Sequence, residues 1–235
     1  MDFDYITICS LITLLLVIST VKFVLNWFKY KNSNYYKITN HSYLSILFNK
    51  GTNGEFKLYQ NLKFFETMGC KFLFNLYIPR ENSKTSEIDI IMFHQKGLFV
   101  FESKNYSGWI FGNESNKKWT QTLPTAYSES HKEHFYNPIM QNATHIRAIR
   151  KYIDGTIPVY SIIAFSDNCT LKNVTTKSNV IVTYYRNVQE KILTKLSKIN
   201  NYSMPKDLMD KTYNTLLKFT NVDEYTKLQH LKNLK

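Results

Sequence analysis

Three cysteines in 235 residues, Cys9, Cys70 and Cys169, stand far apart and form no C-x-x-C pair. Their number and spacing argue against a zinc ribbon, a dithiol redox couple or a disulfide framework, and the soluble part reads as reduced and cytosolic. No internal repeat is present, which excludes a solenoid. Acidic residues are scarce: 18 Asp and Glu face 30 Lys and Arg, a formal net charge of +12. Such an excess suits a polyanionic partner, either nucleic acid, whose counterions are released on contact, or an anionic membrane surface. Lysine supplies most of it in a chain also rich in Asn and Ile, so charge alone does not separate a binding surface from compositional bias. The N-x-[ST] triplets carry no weight in so Asn-rich a chain.

What is present is 43% hydrophobic residues, enough for one sizeable core and one globular domain. The longest apolar run, Tyr5 to Val21, is uncharged and continues past Lys22 through Phe23 to Phe28, about the length needed to cross a bilayer as a helix. A cleaved signal peptide would need a basic start, a shorter apolar region and a small-residue cleavage site. Asp2 and Asp4 make the start acidic, no A-x-A-like site follows, and Trp27, Phe28 and Tyr30 resemble an interfacial belt with Lys29, Lys31 and Lys37 beyond it. Residues 5–28 are therefore expected to be a retained single-pass anchor in the cell membrane. The lysines on its C-terminal side place the soluble domain in the cytoplasm.

Residues 29–40 read as a polar juxtamembrane linker, 41–165 as the folded domain, and 166–235 as a C-terminal strand and helices that complete or extend it. Phe56, Leu58, Leu62, Phe65 and Met68 recur at helical spacing and Gly69 closes the run as a C-cap would. Lys71 to Ile78, Glu87 to Phe93 and Gly97 to Ser103 read as three strands separated by turn residues, the first two by a polar loop from Pro79 to Ser86. Short strands fit Gly108 to Trp119, whereas Leu123 to Tyr136 has no period and reads as a long loop. Pro138 suits a helix start, and apolar spacing continues to Ile153 before Gly155. Ile157 to Phe165 reads as a buried central strand, Val180 to Thr183 as a shorter one, and Val188 to Ile199, Lys206 to Phe219 and Asp223 to Leu234 as helices. The order predicts an α/β sandwich around one mixed central sheet flanked by helices.

The chemistry concentrates in the hairpin Glu87-Ile88-Asp89 … Glu102-Ser103-Lys104. A two-residue loop at Lys96-Gly97 sets Asp89 opposite Lys104; a loop at Gln95-Lys96 sets it opposite Glu102. Either register puts all three on one face, because side chains alternate with period two. Ile91, Leu98 and Val100 share that face, so the charges sit at one end of an apolar surface, where burial costs free energy unless they pair or bind metal. Two carboxylates there offer hard oxygen ligands to magnesium or manganese. A bound ion would polarise a phosphate and lower the pKa of a water, with Lys104 orienting that water and stabilising transition-state charge. The plainer reading is a cross-strand salt bridge worth about 0.2–1 kcal/mol.

Asp89 followed by Glu102-x-Lys104 resembles the PD-(D/E)xK nuclease motif, and its setting resembles the nuclease-related domain (NERD) family. Gly51-x-x-Gly54-Glu55 opens the first helix and Glu87-Ile88-Asp89 begins the second strand. Gly97-Leu98-Phe99-Val100-Phe101-Glu102-Ser103-Lys104-Asn105 forms the third, followed by Gly108, Trp119 and Asn137-Pro138-x-x-Gln141-Asn142, on a helix that carries His145. The resemblance keeps the family's order over about residues 50 to 165. It implies a restriction-endonuclease-like core in which Asp89 and Glu102 bind Mg2+ or Mn2+, Lys104 is the catalytic lysine and Glu55 is an auxiliary acid on the metal side, able to hold a second metal or a metal-bound water. Gln141 matches the motif glutamine, a candidate to contact phosphate or order Lys104. Plainer readings stay open for two of these: Glu55 as a carboxylate favourable to a helix N-terminus, Gln141 as a helix-surface amide. Ser103 departs from the apolar residue usual at that position, on the opposite face. His131-Lys132-Glu133-His134 has two histidines three apart and no third ligand, and reads as a solvated loop.

These expectations converge on a membrane-anchored hydrolase that cuts phosphodiester bonds in DNA. The rival is a catalytically inactive nucleic-acid-binding or membrane scaffold protein on the same fold.

Overall fold

A computed structural model describes residues 2–80, 85–124, 130–220 and 222. The helix expected over Asp223 to Leu234 lies outside the described residues, as do parts of the loops around 81–84 and 125–129.

α1 (Asp2–Lys31) is one unbroken 30-residue helix. From Tyr5 to Lys31 it is long and apolar enough to cross a membrane, and none of its most apolar stretch is buried against the rest of the chain. Three of its hydroxyls bond back within the helix: Ser10 donates to the Ile6 carbonyl, Thr13 to Cys9 and Thr20 to Leu16, each at 2.8 Å. Those three hydroxyls therefore need no partner from an apolar surround.

The segment 29–40, read as a linker, is instead part of the folded domain. Tyr30 and Tyr35 are both fully buried, and α2 (Asn34–Thr39) is capped by Ser33, whose hydroxyl accepts from the Tyr36 amide. The Tyr30 hydroxyl donates to the His41 carbonyl at 2.7 Å. Apolar periodicity failed to mark this stretch because aromatic rings carrying hydroxyls, which read as polar, supply its buried surface. The last turn of α1 is therefore packed into the core of the domain through Tyr30.

α3 (Tyr43–Phe48), α4 (Lys50–Leu62) and the short α5 (Phe64–Thr67) follow. They lead to β1 (Lys71–Pro79), β2 (Thr85–His94) and β3 (Gly97–Lys104), and later in the chain come α6 (Pro138–Ile149), β7 (Val159–Phe165), β9 (Ile181–Tyr184), a 3-10 turn at Tyr185–Asn187, α7 (Val188–Ser197) and α8 (Lys206–Leu217). The expected mixed central sheet has the order β1-β2-β3-β7-β9, antiparallel from β1 to β3 and parallel from β3 to β9. One face packs Phe72, Phe74, Ile90, Met92, Phe99 and Phe101 under α2, α4 and α7. The other packs Ile91, Phe93, Leu98 and Val100 under α6 and α8. Burial on both faces explains why β3 reads as a continuous apolar run.

A second sheet, not expected as such, joins β4 (Gly108–Asn113), β5 (Lys118–Leu123), β6 (His131–Tyr136) and β8 (Cys169–Thr175) in the order β6-β5-β4-β8. Its inner face sets Ile110 and Trp119 against Ile163 and Phe165, with the Trp119 and Phe165 rings stacked at 6.1 Å. β6 and β8 were hidden because they lie at the edges with most of their residues exposed. Their sequences HKEHFY and CTLKNVT therefore carry little apolar alternation.

Candidate active site

The hairpin turns at Gln95-Lys96, pairing His94 with Gly97 and Ile90 with Phe101. Of the two registers open from sequence, this one carries Asp89 to the position opposite Glu102. The ladder stops there: an Asp89 carboxylate oxygen accepts the Ser103 amide at 2.7 Å in place of a main-chain partner. β1 breaks at the same level. Its pairing with β2 skips Asn75 and Asp89, and Asn75 adopts a left-handed backbone with φ 51°. Phe74 and Leu76 consequently face opposite sides of the sheet, as do Ile88 and Ile90. A non-glycine residue in that conformation inside a strand is strained and marks a locally imposed geometry.

Glu102, 1% exposed, forms the floor. Lys104 donates to one of its oxygens at 2.5 Å and to the Gln141 side-chain carbonyl at 3.1 Å. The other Glu102 oxygen lies 3.1 Å from His145 Nε2. Gln141 and His145 are one turn apart on α6, four residues spaced to face the same strand end. Glu55 approaches from α4, accepting from the Tyr35 hydroxyl at 3.0 Å and hydrogen-bonded to the Asn75 side chain. Glu87, bonded to the Tyr77 hydroxyl at 2.7 Å, adds a fourth carboxylate. Glu55, Glu87 and Asp89 are partly exposed, whereas Glu102 is buried beneath them.

The electrostatics divide this cluster in two. Burial alone would raise Glu102, but Lys104 and His145 overcome it and hold the carboxyl below its ordinary value. Burial opposes the Lys104 ammonium as well, yet Glu102 and Asp89 hold its pKa above normal. Lys104 is therefore charged at neutral pH. Glu55 is pushed up to about 7 by burial first and then by Glu87, against the hydrogen bonds from Tyr35 and Asn75. Asp89 is raised well above the carboxylate range by burial, Glu102 and Glu55, with Lys104 and the Ser103 amide opposing. One lysine does not neutralise this many carboxylates.

Surrounding motif residues hold the parts in place. Asn137 caps α6 by accepting from the Ile139 amide, and its amide group donates to the carbonyls of Asn113, Glu114 and Asn116. Asn142 donates to the Val100 carbonyl and the Ser161 hydroxyl, each at 2.9 Å, tying α6 to β3 and β7. Asn142→Ala should lower unfolding free energy by about 1–3 kcal/mol in urea titrations, since both acceptors lose their buried partner. Gly54 permits the closest approach of α4: a Cβ there would stand 2.6 Å from Asn105 Cβ and 2.9 Å from the Tyr185 hydroxyl. The Asn105 Cβ is fixed to the backbone, so Gly54→Ala must displace α4. We expect a stability loss of about 1–3 kcal/mol and a changed pH dependence of unfolding as Glu55 leaves the cluster.

All five residues singled out from sequence, Glu55, Asp89, Glu102, Lys104 and Gln141, thus meet at one place, and Gln141 orders Lys104. Four of their neighbours had been missed or undervalued. Tyr35 lay in the supposed linker, and Asn75 has no signal beyond a polar residue in an apolar strand. His145 was visible at i+4 from Gln141, and Glu87 two residues before Asp89. The histidines of 131–134 lie on the exposed strand β6, where His131 contacts Glu133, away from this cluster.

Among the described residues, no three carboxylate, imidazole or thiolate side chains converge closely enough to hold an ion as they lie. The donor chemistry still fits a hard divalent cation. Asp89, Glu55 and Glu102 offer only oxygens, Asp89 and Glu55 carry uncompensated repulsion, and magnesium commonly takes one or two carboxylates with water completing its shell.

Comparisons with known proteins bear on the family of the chain. The nuclease-related domain profile matches residues 50–166, the span from the start of α4 to the end of β7. An uncharacterised protein of Bacillus anthracis is 32% identical over 186 residues, covering 79% of this chain and 84% of its own length. No solved structure matches the chain. With the profile match over 50–166 and a relative 32% identical over most of both chains, the chain belongs to the nuclease-related domain family.

Proposed function

We propose that the protein is a metal-dependent nuclease that cuts phosphodiester bonds in DNA from a membrane anchor. The observation that carries this reading is the grouping of Asp89, Glu102 and Glu55 as neighbours of one cation, Lys104, which is held charged by Glu102 and aligned by Gln141. Asp89, Glu102 and Glu55 would hold Mg2+ or Mn2+, which supplies Lewis-acid polarisation of phosphate and a more acidic bound water. The chain's own groups divide the remaining work. Lys104, protonated, faces the charge that develops on phosphate oxygens. His145 and Gln141 fix the Glu102-Lys104 pair from the side.

The basic balance of +12 supports a polyanionic substrate, and so does the outer face of the second sheet. Trp109, Phe111 and Tyr136 stand exposed there, the Lys172 ammonium lies 5.3 Å from the Trp109 ring, and Lys118 and Lys132 share the face. Aromatic rings among lysines suit stacking of unpaired bases and contact with phosphates. Trp109→Ala with Phe111→Ala should weaken binding of single-stranded DNA by about 1–3 kcal/mol per lost stack, read by fluorescence anisotropy in EDTA. Unchanged affinity would remove this face from the substrate path.

For location, the reading is a single-pass cell-membrane protein with its domain in the cytoplasm, supported by the apolar length of α1 and by Lys29, Lys31 and Lys37 at its C-terminal end. The engagement of both Glu102 oxygens by Lys104 and His145 favours a second reading, an inactive nucleic-acid-binding or membrane scaffold. Incubation of linear and circular DNA with the full chain in nonionic detergent separates the two. Metal-dependent cutting supports the nuclease, and salt-sensitive binding without cutting under any divalent ion supports the scaffold.

A further inference from the structure

α3 is poorly satisfied as a water-facing helix. It buries Ile46 in the core, yet leaves Leu44 59%, Leu47 42% and Phe48 84% exposed. Its sequence, Tyr43-Leu44-Ser45-Ile46-Leu47-Phe48, has no charged residue. Three adjacent exposed apolar side chains on so short a helix form a patch that soluble surfaces seldom carry without a partner.

Its position says what the partner is. The Tyr43 ring contacts Phe23 at 5.3 Å and Tyr30 at 5.4 Å, residues seven apart and so roughly 10 Å apart along the α1 axis. Phe23 belongs to the apolar run itself, so α3 lies beside the last turns of the segment able to span a membrane. Behind it, a groove of about 520 Å³ is lined in part by Asn26, Lys29, Asn53, Lys57, Gln60 and Lys63. Three lysines and amide donors beside an apolar patch, at the depth where α1 leaves its apolar run, complement the phosphates of a bilayer surface.

We propose that α3 is a second membrane contact, with Leu44, Leu47 and Phe48 entering the acyl boundary of the leaflet from which α1 emerges and the lysine-lined groove facing anionic phospholipid headgroups. This rests on the reading of α1 as a membrane-spanning helix. Because α1 runs unbroken to Lys31 and Tyr30 is locked in the core, two contacts hold the domain, and the carboxylate cleft takes a fixed height and orientation above the bilayer instead of swinging on a tether. A substrate for such a site is one that passes close to the membrane surface.

The experiment uses the full chain reconstituted in vesicles whose lipids carry bromine on the upper acyl chain, a quencher of tryptophan. The parent's emission also contains Trp109 and Trp119, so Trp27, near the end of α1, is read as the difference between the parent and Trp27→Phe and reports whether that helix is inserted. Phe48→Trp, a conservative change at an 84% exposed position, reports α3 as the difference between the variant and the parent. The introduced indole should emit to the blue of its value in detergent and lose most of its emission to brominated lipid, more so when phosphatidylglycerol replaces phosphatidylcholine. Quenched Trp27 with an unquenched residue 48 overturns the proposal while leaving the anchor intact; an unquenched Trp27 overturns the anchor reading and the proposal with it. Quenching indifferent to headgroup charge overturns the role of the lysine groove. A residue-48 emission that shifts with protein concentration, not with lipid, assigns α3 to a second copy of the chain and overturns the membrane contact.

Discussion

Lys104→Ala is expected to lower phosphodiester cleavage by about 10²–10³-fold and, in metal-free buffer, to destabilise the fold by about 3–5 kcal/mol. Both effects follow from one contact. The ammonium sits 2.5 Å from a Glu102 oxygen in a site where Glu102 is 1% exposed, and Asp89 and Glu55 already repel each other beside it. Removing the cation leaves the floor carboxylate with His145 alone, so it must take up a proton or remain charged in a low-dielectric surround. A divalent ion can replace that charge but cannot restore a protonated amine facing the phosphate. Magnesium should therefore recover the unfolding temperature of the variant without recovering its rate. If rate and stability returned together, Lys104 would be a structural ion pair and no more.

Above pH 7, without metal, Glu55→Gln should be more stable than the parent by about 3 kcal/mol. The Glu55 carboxyl has its pKa raised to about 7 in the folded chain, from an ordinary value of 4.5. Between those two values the folded state keeps a proton that the unfolded state has released, so parent stability falls as pH rises through the window and levels off above 7. Asp89, raised by the same burial and repulsion, acts in the same direction. The glutamine variant lacks the Glu55 contribution, so its curve should be flatter and should meet the parent's near pH 4.5. Adding Mg2+ above pH 7 should narrow the gap, because the ion stabilises the ionised carboxylate that the variant lacks. Thermal unfolding across pH in EDTA reads all of this. Parallel curves for the two proteins would mean that Glu55 does not titrate in the cluster.

The hairpin was legible because its chemistry and its packing use the same alternation. Glu102 and Lys104 share a face with Leu98 and Val100, and either loop choice delivered Asp89 to them. The choice itself was not legible: it depends on Gly97, held at φ 125° where a Cβ would stand 2.5 Å from the Pro158 carbonyl, a contact made across the sheet. The motif on α6 was readable by spacing, since Asn137, Gln141 and His145 are four apart. Tyr35 and Asn75 were not, because one acts through a tyrosine-rich stretch that reads as polar and the other through backbone strain. The second sheet shows the same limit from the other side. Ile110 and Trp119 were readable as strand residues, but β6 and β8 have one face in water and an open edge, so little in their apolar pattern separates them from loops.

These differences bear on how the protein should be handled. Truncation at His41, natural if 29–40 were a linker, would remove Tyr30 and Tyr35 from the core and the Glu55 hydrogen bond with them. Assays on the full chain avoid that loss.

The most direct test of the active-site reading is the initial rate of cleavage of end-labelled DNA by the full chain as Mg2+ is raised from zero in an EDTA-buffered series, beside Glu102→Gln. Glu102→Gln retains the shape of the floor and its hydrogen-bonding capacity toward Lys104, but not the charge that would bind the ion. The account expects a rate that saturates with metal in the parent and stays at background in the variant. Cutting that persists in EDTA, or that survives Glu102→Gln at the parent's rate, would contradict it.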